Sequence, residues 1–383
     1  MSPVSISVVS RTPEVSSHRA LWEDLYRGSL CEPSTSFEWT QALTRSHVGS
    51  RDGFVLLRAS RGSEIIGLLP MVTRRVAVLG CPVVILSPLS EFYNTHSDFL
   101  TSTLDEDLAS ALIAALFGLE ERWDIFRMSK VLADHPLLGE MQRFANGRQA
   151  RIQVRDGQAS YHLPLPVRYE DYLAGRSAKF RNYLKRSAKK ISQLDDPQVV
   201  EVSDASDVAD ACDMLMQVEQ ASWKHAHGTA ISAVARQAQF YRELCEGAAA
   251  SGRLHLQFLK VGGSPAAYNL GYVANGCYSY LKTSFDERYR QYGAATYLRG
   301  RLIESLIARG VRHMDFPAEP YEWESQWTDS VRWHKVLTVY GMTAVGRVLA
   351  GVDRLRQYYP TSPRLQHVDP RALRPAKRAS EHA

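Results

Sequence analysis

The run Arg290-Gln291-Tyr292-Gly293-Ala294-Ala295 fits the pattern Arg/Gln-x-x-Gly-x-Gly/Ala and is its only match in the chain. Small residues in such a loop let backbone N–H groups approach phosphate oxygens, and a helix starting there adds its positive end at the same place. The chemistry on offer is a cradle for a phosphorylated donor. The other reading is an ordinary turn whose small residues serve a tight crossing.

Glu219 falls on one helical stripe with Cys212, Leu215, Met216 and Trp223, so its carboxyl should face inward. Desolvation there raises a carboxyl pKa toward the range useful for proton transfer, and the group would deprotonate an amine. Equally, Glu219 would be a helix-edge acid paired with Lys224. Asp315 ends an apolar strand, a position from which a side chain reaches a cleft or caps the next turn. Tyr278, Tyr280 and Lys282 alternate along one strand, so they share a face while Leu281 points the other way. On a cleft wall, Tyr280 or Lys282 would stabilise charge or protonate a leaving thiolate; otherwise that face is solvated. His225-Ala226-His227 has no third ligand nearby, so no metal is expected. Cys277 has no evident histidine partner and reads as a packed thiol.

These residues need elements to position them. Leu254 to Val261, Ala266 to Val273 and Cys277 to Phe285 read as an antiparallel meander, its second turn being the hairpin signal Asn275-Gly276. A helix from about Thr296 to Arg309 carries Leu298, Leu302 and Leu306, with Gly310 at the C-terminal cap, and strands at Val311 to Phe316 and Trp333 to Tyr340 follow. The first half has the same order: strands at Phe54 to Ser60 and Ile65 to Val72, a helix through Leu108, Leu112, Ala115 and Leu119, and a strand from Trp123 to Met128. A duplicated α+β unit is expected.

Between the halves, Tyr169 to Leu194 reads as one long helix, with Leu173, Phe180, Leu184, Ile191 and Leu194 on one face and Lys179, Arg181, Lys185, Arg186, Lys189 and Lys190 off it. That basic surface suits a polyanion such as tRNA or an acidic carrier protein, an anionic membrane, or plain solvation. Interleaved aromatics are lacking, which disfavours base reading.

At 383 residues the chain exceeds one ordinary core, and two domains are expected. Hydrophobic residues at 45% and charged residues at 23% exclude disordered and membrane-embedded classes, and a net charge of +5 is too mild to specify a partner. The opening residues lack a basic leader, and the longest apolar stretch, Val76 to Leu89, is broken by Gly80, Pro82 and Pro88. A cytoplasmic protein is expected. Five scattered cysteines without a C-x-x-C pair argue for reduced thiols.

Tyr172-Leu173, Arg176-Ser177, Glu219, Trp223-Lys224, Phe285-Asp286, Tyr289, Tyr297-Leu298, Asp315-Phe316 and Trp327-Thr328 carry a resemblance that runs from Ser160 to about Tyr340. The chain there resembles the Fem-like branch of the GNAT superfamily, including the acetyltransferase domain of cellulose-biosynthesis (CelD-type) proteins. Phe37-Glu38-Trp39 and Gly67-Leu68-Leu69-Pro70 resemble the N-terminal part of the same proteins.

The resemblance implies tandem GNAT-like domains of α+β class, each a mixed, mostly antiparallel sheet flanked by helices. Residues 1–160 would form a degenerate copy, 161–350 the acyltransferase domain with the basic helix 169–194, and 351–383 a loosely ordered basic tail. It implies N-acyl transfer from an acyl-CoA or acyl-carrier thioester to an amine, directly and without metal. Arg290, Gly293, Ala294 and Ala295 would hold the phosphate or pantetheine portion, and backbone amides the oxyanion. Glu219 or Asp315 would take the proton, aided by Tyr280 or Lys282, with Trp223, Lys224, Tyr289 and Trp327 on the substrate. The rivals are an aminoacyl-tRNA-dependent transferase of Fem type, with RNA on the basic helix at 179–190, and a non-catalytic polysaccharide-assembly protein.

Overall fold

The computed structural model describes residues 2–27, 33–78, 80–91, 93, 96–147, 151–317 and 323–358. The first unit runs β1 (Val4–Ser10), α1 (Arg19–Arg27), α2 (Phe37–His47), β2 (Gly53–Arg61), β3 (Glu64–Val78), β4 (Cys81–Pro88), β5 (Leu100–Thr101), α3 (Glu106–Gly118), β6 (Ile125–Leu132), α4 (Pro136–Gly147) and β7 (Arg151–Pro164). Helices α5 (Tyr169–Ala174) and α6 (Ala178–Ile191) lead to the second unit. It comprises β8 (Gln198–Val202), α7 (Val208–Gln220), α8 (Trp223–Ala226), α9 (Ala235–Ala250), β9 (Leu254–Val261), β10 (Ser264–Ala274), β11 (Cys277–Phe285), α10 (Ala294–Ala308), β12 (His313–Asp315), β13 (Val331–Tyr340) and α11 (Ala344–Tyr358).

Local chemistry sets several of these boundaries. Asn275 and Gly276 both take positive φ, 52° and 79°, as a two-residue hairpin turn between β10 and β11 requires. The expected single helix from Tyr169 to Leu194 is two helices, because Gly175-Arg176-Ser177 interrupts it and Ser177 Oγ caps α6 by accepting the Phe180 N–H at 3.2 Å. The tail expected to be loosely ordered from 351 begins as helix, since α11 continues to Tyr358; residues 359–383 lie outside the described residues. No helix among the described residues is long and apolar enough to cross a membrane.

All the strands but β5, which pairs β3, join in one sheet of order β1-β2-β3-β4-β6-β13-β7-β12-β11-β10-β9-β8. Every pairing is antiparallel except β4 with β6 and β11 with β12, the corresponding pairs of the two units. The units are thus duplicated, as the sequence suggests, and meet at the β13/β7 pair. They also exchange their last strands: β7 pairs with β12 of the second unit, and β13 pairs with β6 of the first. The expected boundary between residues 160 and 161 consequently falls inside β7.

One core lies on a single face of the sheet and spans both units, joining Trp22, Phe37 and Trp39 of α1 and α2 to Leu215, Phe240 and Leu244 of α7 and α9. Trp39 meets Phe240 edge-on at 5.3 Å, a geometry that adds about 0.5–1.5 kcal/mol beyond burial. Arg253 bridges the units by pairing with Glu23 at 2.6 Å and Glu38 at 2.9 Å. On the opposite face α3 and α4 cover the first unit, and α10 with α6 the second.

Candidate active site

Helix α10 begins at Gly293, whose φ of +72° and ψ of 38° place it in the left-handed region, and no side chain caps the helix there. The corresponding helix of the first unit, α3, is closed. Asp105 Oδ1 accepts the Leu108 N–H at 2.9 Å, and Arg61 pairs with the same carboxylate. Helix α6 flanks the open end of α10: Lys190 Nζ donates to the Gln291 carbonyl at 2.8 Å, and Tyr183 OH lies 3.4 Å from Thr296 Oγ1. One basic and one hydroxyl-bearing side chain therefore stand beside a helix N-terminus that has no acid of its own in the first turn.

The strands leading to and from this helix part company. β11 and β12 pair only from Cys277/His313 to Ser279/Asp315, after which β11 continues alone on that side to Phe285. On the α10 side the split holds Tyr280, Phe316 and Trp323, with ring centroids 5.8–6.2 Å apart. Tyr280 OH donates to Asn269 Oδ1 at 2.5 Å.

A bulge in β11 overturns one expectation. The register with β10 jumps from Gly271/Tyr280 to Leu270/Lys282, leaving Leu281 as the extra residue. The extra residue reverses the alternation, so Lys282 does not share the face of Tyr278 and Tyr280. Those tyrosines pack under α10, whereas Lys282 Nζ lies 5.9 Å from the Tyr241 ring of α9 on the opposite face.

Glu219 is fully buried, as its stripe predicts, but its carboxylate is occupied. Oε1 accepts from Lys224 Nζ at 2.8 Å and Tyr268 OH at 2.7 Å, and Oε2 from the Ile231 N–H at 2.9 Å. Burial would raise its pKa, yet the Lys224 charge and hydrogen bond together with the Tyr268 hydroxyl outweigh burial and hold the carboxyl below its ordinary value. The expected raised pKa is therefore corrected, and the pairing with Lys224 is the arrangement found. Lys224 Nζ also donates to the Thr283 carbonyl at 2.5 Å, which fastens α7 and α8 to β11.

Asp315 ends β12 and is buried beside the split. Its Oδ1 accepts from Arg332 at 2.7 Å, and its Oδ2 accepts the Cys277 S–H at 3.5 Å and lies 3.8 Å from His96 Nε2. His96 comes from the first unit and stacks on His334 at 5.5 Å, with His96 Nδ1 and His334 Nε2 3.4 Å apart. Burial pushes the His334 pKa down to about 4, so its ring is neutral at neutral pH.

The other expected residues scatter. Arg290 is engaged by Glu287 at 2.6 Å near the solvent. Ala294 is buried, Ala295 half-buried, and Tyr289 packs with Tyr292 beside the loop. Trp223 leaves the Glu219 stripe because α7 stops at Gln220, and it is 43% exposed. Trp327 is core, edge-on to Phe180 at 4.9 Å, and so is not placed to contact a substrate. His227 Nδ1 donates to the Trp223 carbonyl at 2.8 Å, back toward its own short helix.

Three residues at the split were missed by sequence reasoning. His96 and Arg332 reach Asp315 from distant strands and loops, and no local signal could have flagged them. Arg299 is detectable in principle as a cation on the apolar stripe of α10. It is 4% exposed, its guanidinium sits 3.7 Å from the Trp323 ring, Nε donates to Tyr280 OH at 3.3 Å, and it forms no ion pair among the described residues.

Residues 178–325 match the family model described as the acetyltransferase (GNAT) domain. The fold is shared with FemX, at a TM-score of 0.56 and 11% identity over 93% of this chain and 100% of that one. It is shared too with a conserved Bacteroides thetaiotaomicron protein of unknown function, at 0.57 and 12% over 88% and 99%, and with the DUF2156 domain of an Agrobacterium fabrum protein, at 0.54 and 12% over 90% and 97%. No curated protein matches. Residues 178–325 therefore carry a GNAT-type acetyltransferase domain, built into a two-unit sheet whose fold is shared with FemX.

Proposed function

We propose that the chain transfers an acyl group from a thioester donor, acyl-CoA or an acyl carrier, directly to an amine. The observation that carries this reading is the contrast between the two equivalent helices: α3 is sealed by Asp105 and Arg61, while α10 starts on the left-handed Gly293 with no side-chain cap. The donor's phosphates sit at the α10 amides beside Lys190, and its acyl end lies along the edge of β11 that β12 leaves beyond Ser279. Backbone N–H groups on that edge stabilise the oxyanion. Glu219 and Asp315 are both engaged by cations, so the acceptor's proton passes to water rather than to either carboxylate. Lys224 holds the wall of the split through Thr283.

The test is thiol release from acetyl-CoA and longer acyl-CoAs with a panel of amines, alongside calorimetry of CoA binding. Turnover with any pair supports the reading; neither release nor CoA binding removes the CoA donor.

A second reading, transfer from aminoacyl-tRNA, is favoured by the position of α6, whose Lys179, Lys185, Arg186 and Lys189 continue from the donor loop. Under that reading binding of tRNA falls steeply with salt, and replacing Lys185, Arg186 and Lys189 by Ala flattens the slope. The polysaccharide-assembly reading predicts no thiol release and no salt-dependent tRNA binding.

A further inference from the structure

We propose that Arg299 receives a substrate carboxylate at the closed end of the split, so that the chain acts on an acidic substrate: an acyl group ending in a carboxylate, or an amino acid as acceptor. The inference rests on the acyl-transfer reading and names the substrate class at the same site.

Arg299 stands about 9 Å along the axis of α10 from Gly293, beyond the first-turn amides that would meet a phosphate. Its guanidinium reaches Tyr280, the first residue of β11 past the last β11/β12 pair at Ser279/Asp315. That is where the strands part and where the transferred group would arrive. The side chain is 4% exposed, and its Cζ lies 3.7 Å from the centre of the Trp323 ring, with the Trp327 and Tyr280 rings at 5.3 and 5.5 Å. Such stacking uses the face of the guanidinium and leaves its N–H edge free. Nε donates to Tyr280 OH at 3.3 Å, and among the described residues Nη1 and Nη2 meet no acceptor and no carboxylate.

Tyr280 does not supply the missing charge. Its hydroxyl accepts from Arg299 and donates to Asn269 Oδ1 at 2.5 Å, so its one proton is committed. Asn269 Nδ2 donates in turn to Gln257 Oε1 at 3.2 Å, and Gln257 Nε2 to Glu201 Oε1 at 3.3 Å. Glu201 is the first carboxylate on this relay, and Arg309 already pairs with it at 2.9 Å. The relay therefore orients Arg299 without neutralising it.

A buried guanidinium without a counter-ion is unfavourable, and aromatic stacking offsets only part of its lost hydration. An anion completes the site. A carboxylate fits better than a phosphate, because it is planar, takes paired N–H bonds from the edge of a stacked guanidinium, and carries one charge to match one cation. Phosphates have their own place at the start of α10 beside Lys190. Tyr280 lies on the edge of β11 along which the donor would run, so the geometry favours the acyl group as bearer of the carboxylate.

The experiment is calorimetry on the full chain, comparing succinyl-CoA with butyryl-CoA and glutaryl-CoA with valeryl-CoA, pairs of equal length that differ in a terminal carboxylate. A second arm titrates glycine, L-alanine and L-serine against their amides, with and without CoA. The carboxylate-bearing thioesters should bind at least about tenfold tighter than their partners, because a methyl terminus leaves the guanidinium unpaired. Arg299→Met should erase that preference. Tyr280→Phe removes the positioning hydroxyl and should reduce the preference while circular dichroism stays native. A preference confined to the amino-acid arm and lost in Arg299→Met assigns the carboxylate to the acceptor. If CoA and its thioesters do not bind at all, the CoA-donor reading falls and the amino-acid arm decides the carboxylate site by itself. Equal affinities within every pair overturn the proposal. So does a preference that Arg299→Met retains or, should that variant not fold, one that Tyr280→Phe retains in full.

Discussion

Ser187 Oγ lies 2.6 Å from the point that a Cβ on Gly293 would occupy, so α6 closes on the donor loop at the one residue whose φ of +72° already favours glycine. Gly293→Ala should therefore lower stability by about 1–2 kcal/mol from the left-handed conformation alone, and by more from the contact. Ser187→Ala in that background should restore part of the loss, because it removes the nearer atom and leaves the backbone strain. Urea denaturation of the three variants measures this, and an unchanged midpoint for Gly293→Ala would show that the close approach is not needed.

Ala295 separates folding from donor binding better than Gly293 does. An acid in the first turn of a helix stabilises it by about 0.3–1 kcal/mol, but the same charge repels a phosphate at that end. Ala295→Glu should thus hold or raise the thermal midpoint while weakening CoA binding tenfold or more by calorimetry. Unchanged affinity would move the donor away from α10.

Local signals made much of the second unit legible. Asn275-Gly276 with alternating flanks gives β10 and β11, and the spacing of Leu298, Leu302 and Leu306 gives α10, because these patterns depend on neighbours only a few residues away. The bulge at Leu281 left no comparable mark, so Lys282 was placed on the wrong face. Glu219 was correctly turned inward, yet its chemistry depends on Tyr268 and Ile231, which only the tertiary fold brings to it. The meeting of His96, Arg332 and Asp315 is farther still from any sequence pattern, since it needs both units in register.

Glu219 should behave as a stabilising anchor. Glu219→Gln leaves Lys224 buried without its carboxylate, a defect of about 3–5 kcal/mol measurable in urea. The folded pKa lies below the ordinary 4.5, so the ionised group's contribution is fully present above about pH 4.5 and is lost as pH falls through the folded value. The variant should lack that acid-side loss. A Gln variant as stable as the parent, with the same acid profile, would sink this assignment.

Arg299 is a buried cation stacked on Trp323, and among the described residues its one hydrogen-bond partner is the neutral Tyr280 hydroxyl. Replacement of such a charge by an apolar side chain of similar reach is commonly neutral or stabilising. Arg299→Met should accordingly keep or raise the thermal midpoint, while transfer slows about tenfold if the guanidinium serves the donor in the split. A steep fall in the midpoint would make Arg299 a structural residue instead.

The exchange of β7 and β13 has a practical cost for anyone dissecting the protein. A fragment cut at residue 178 would carry β12 with its outer rim bare, and its N-terminal complement would present β6 in the same condition, both inviting aggregation. The halves ought to be recovered only by co-expression, as a complemented pair, and the catalytic unit has no natural seam along which it can be excised.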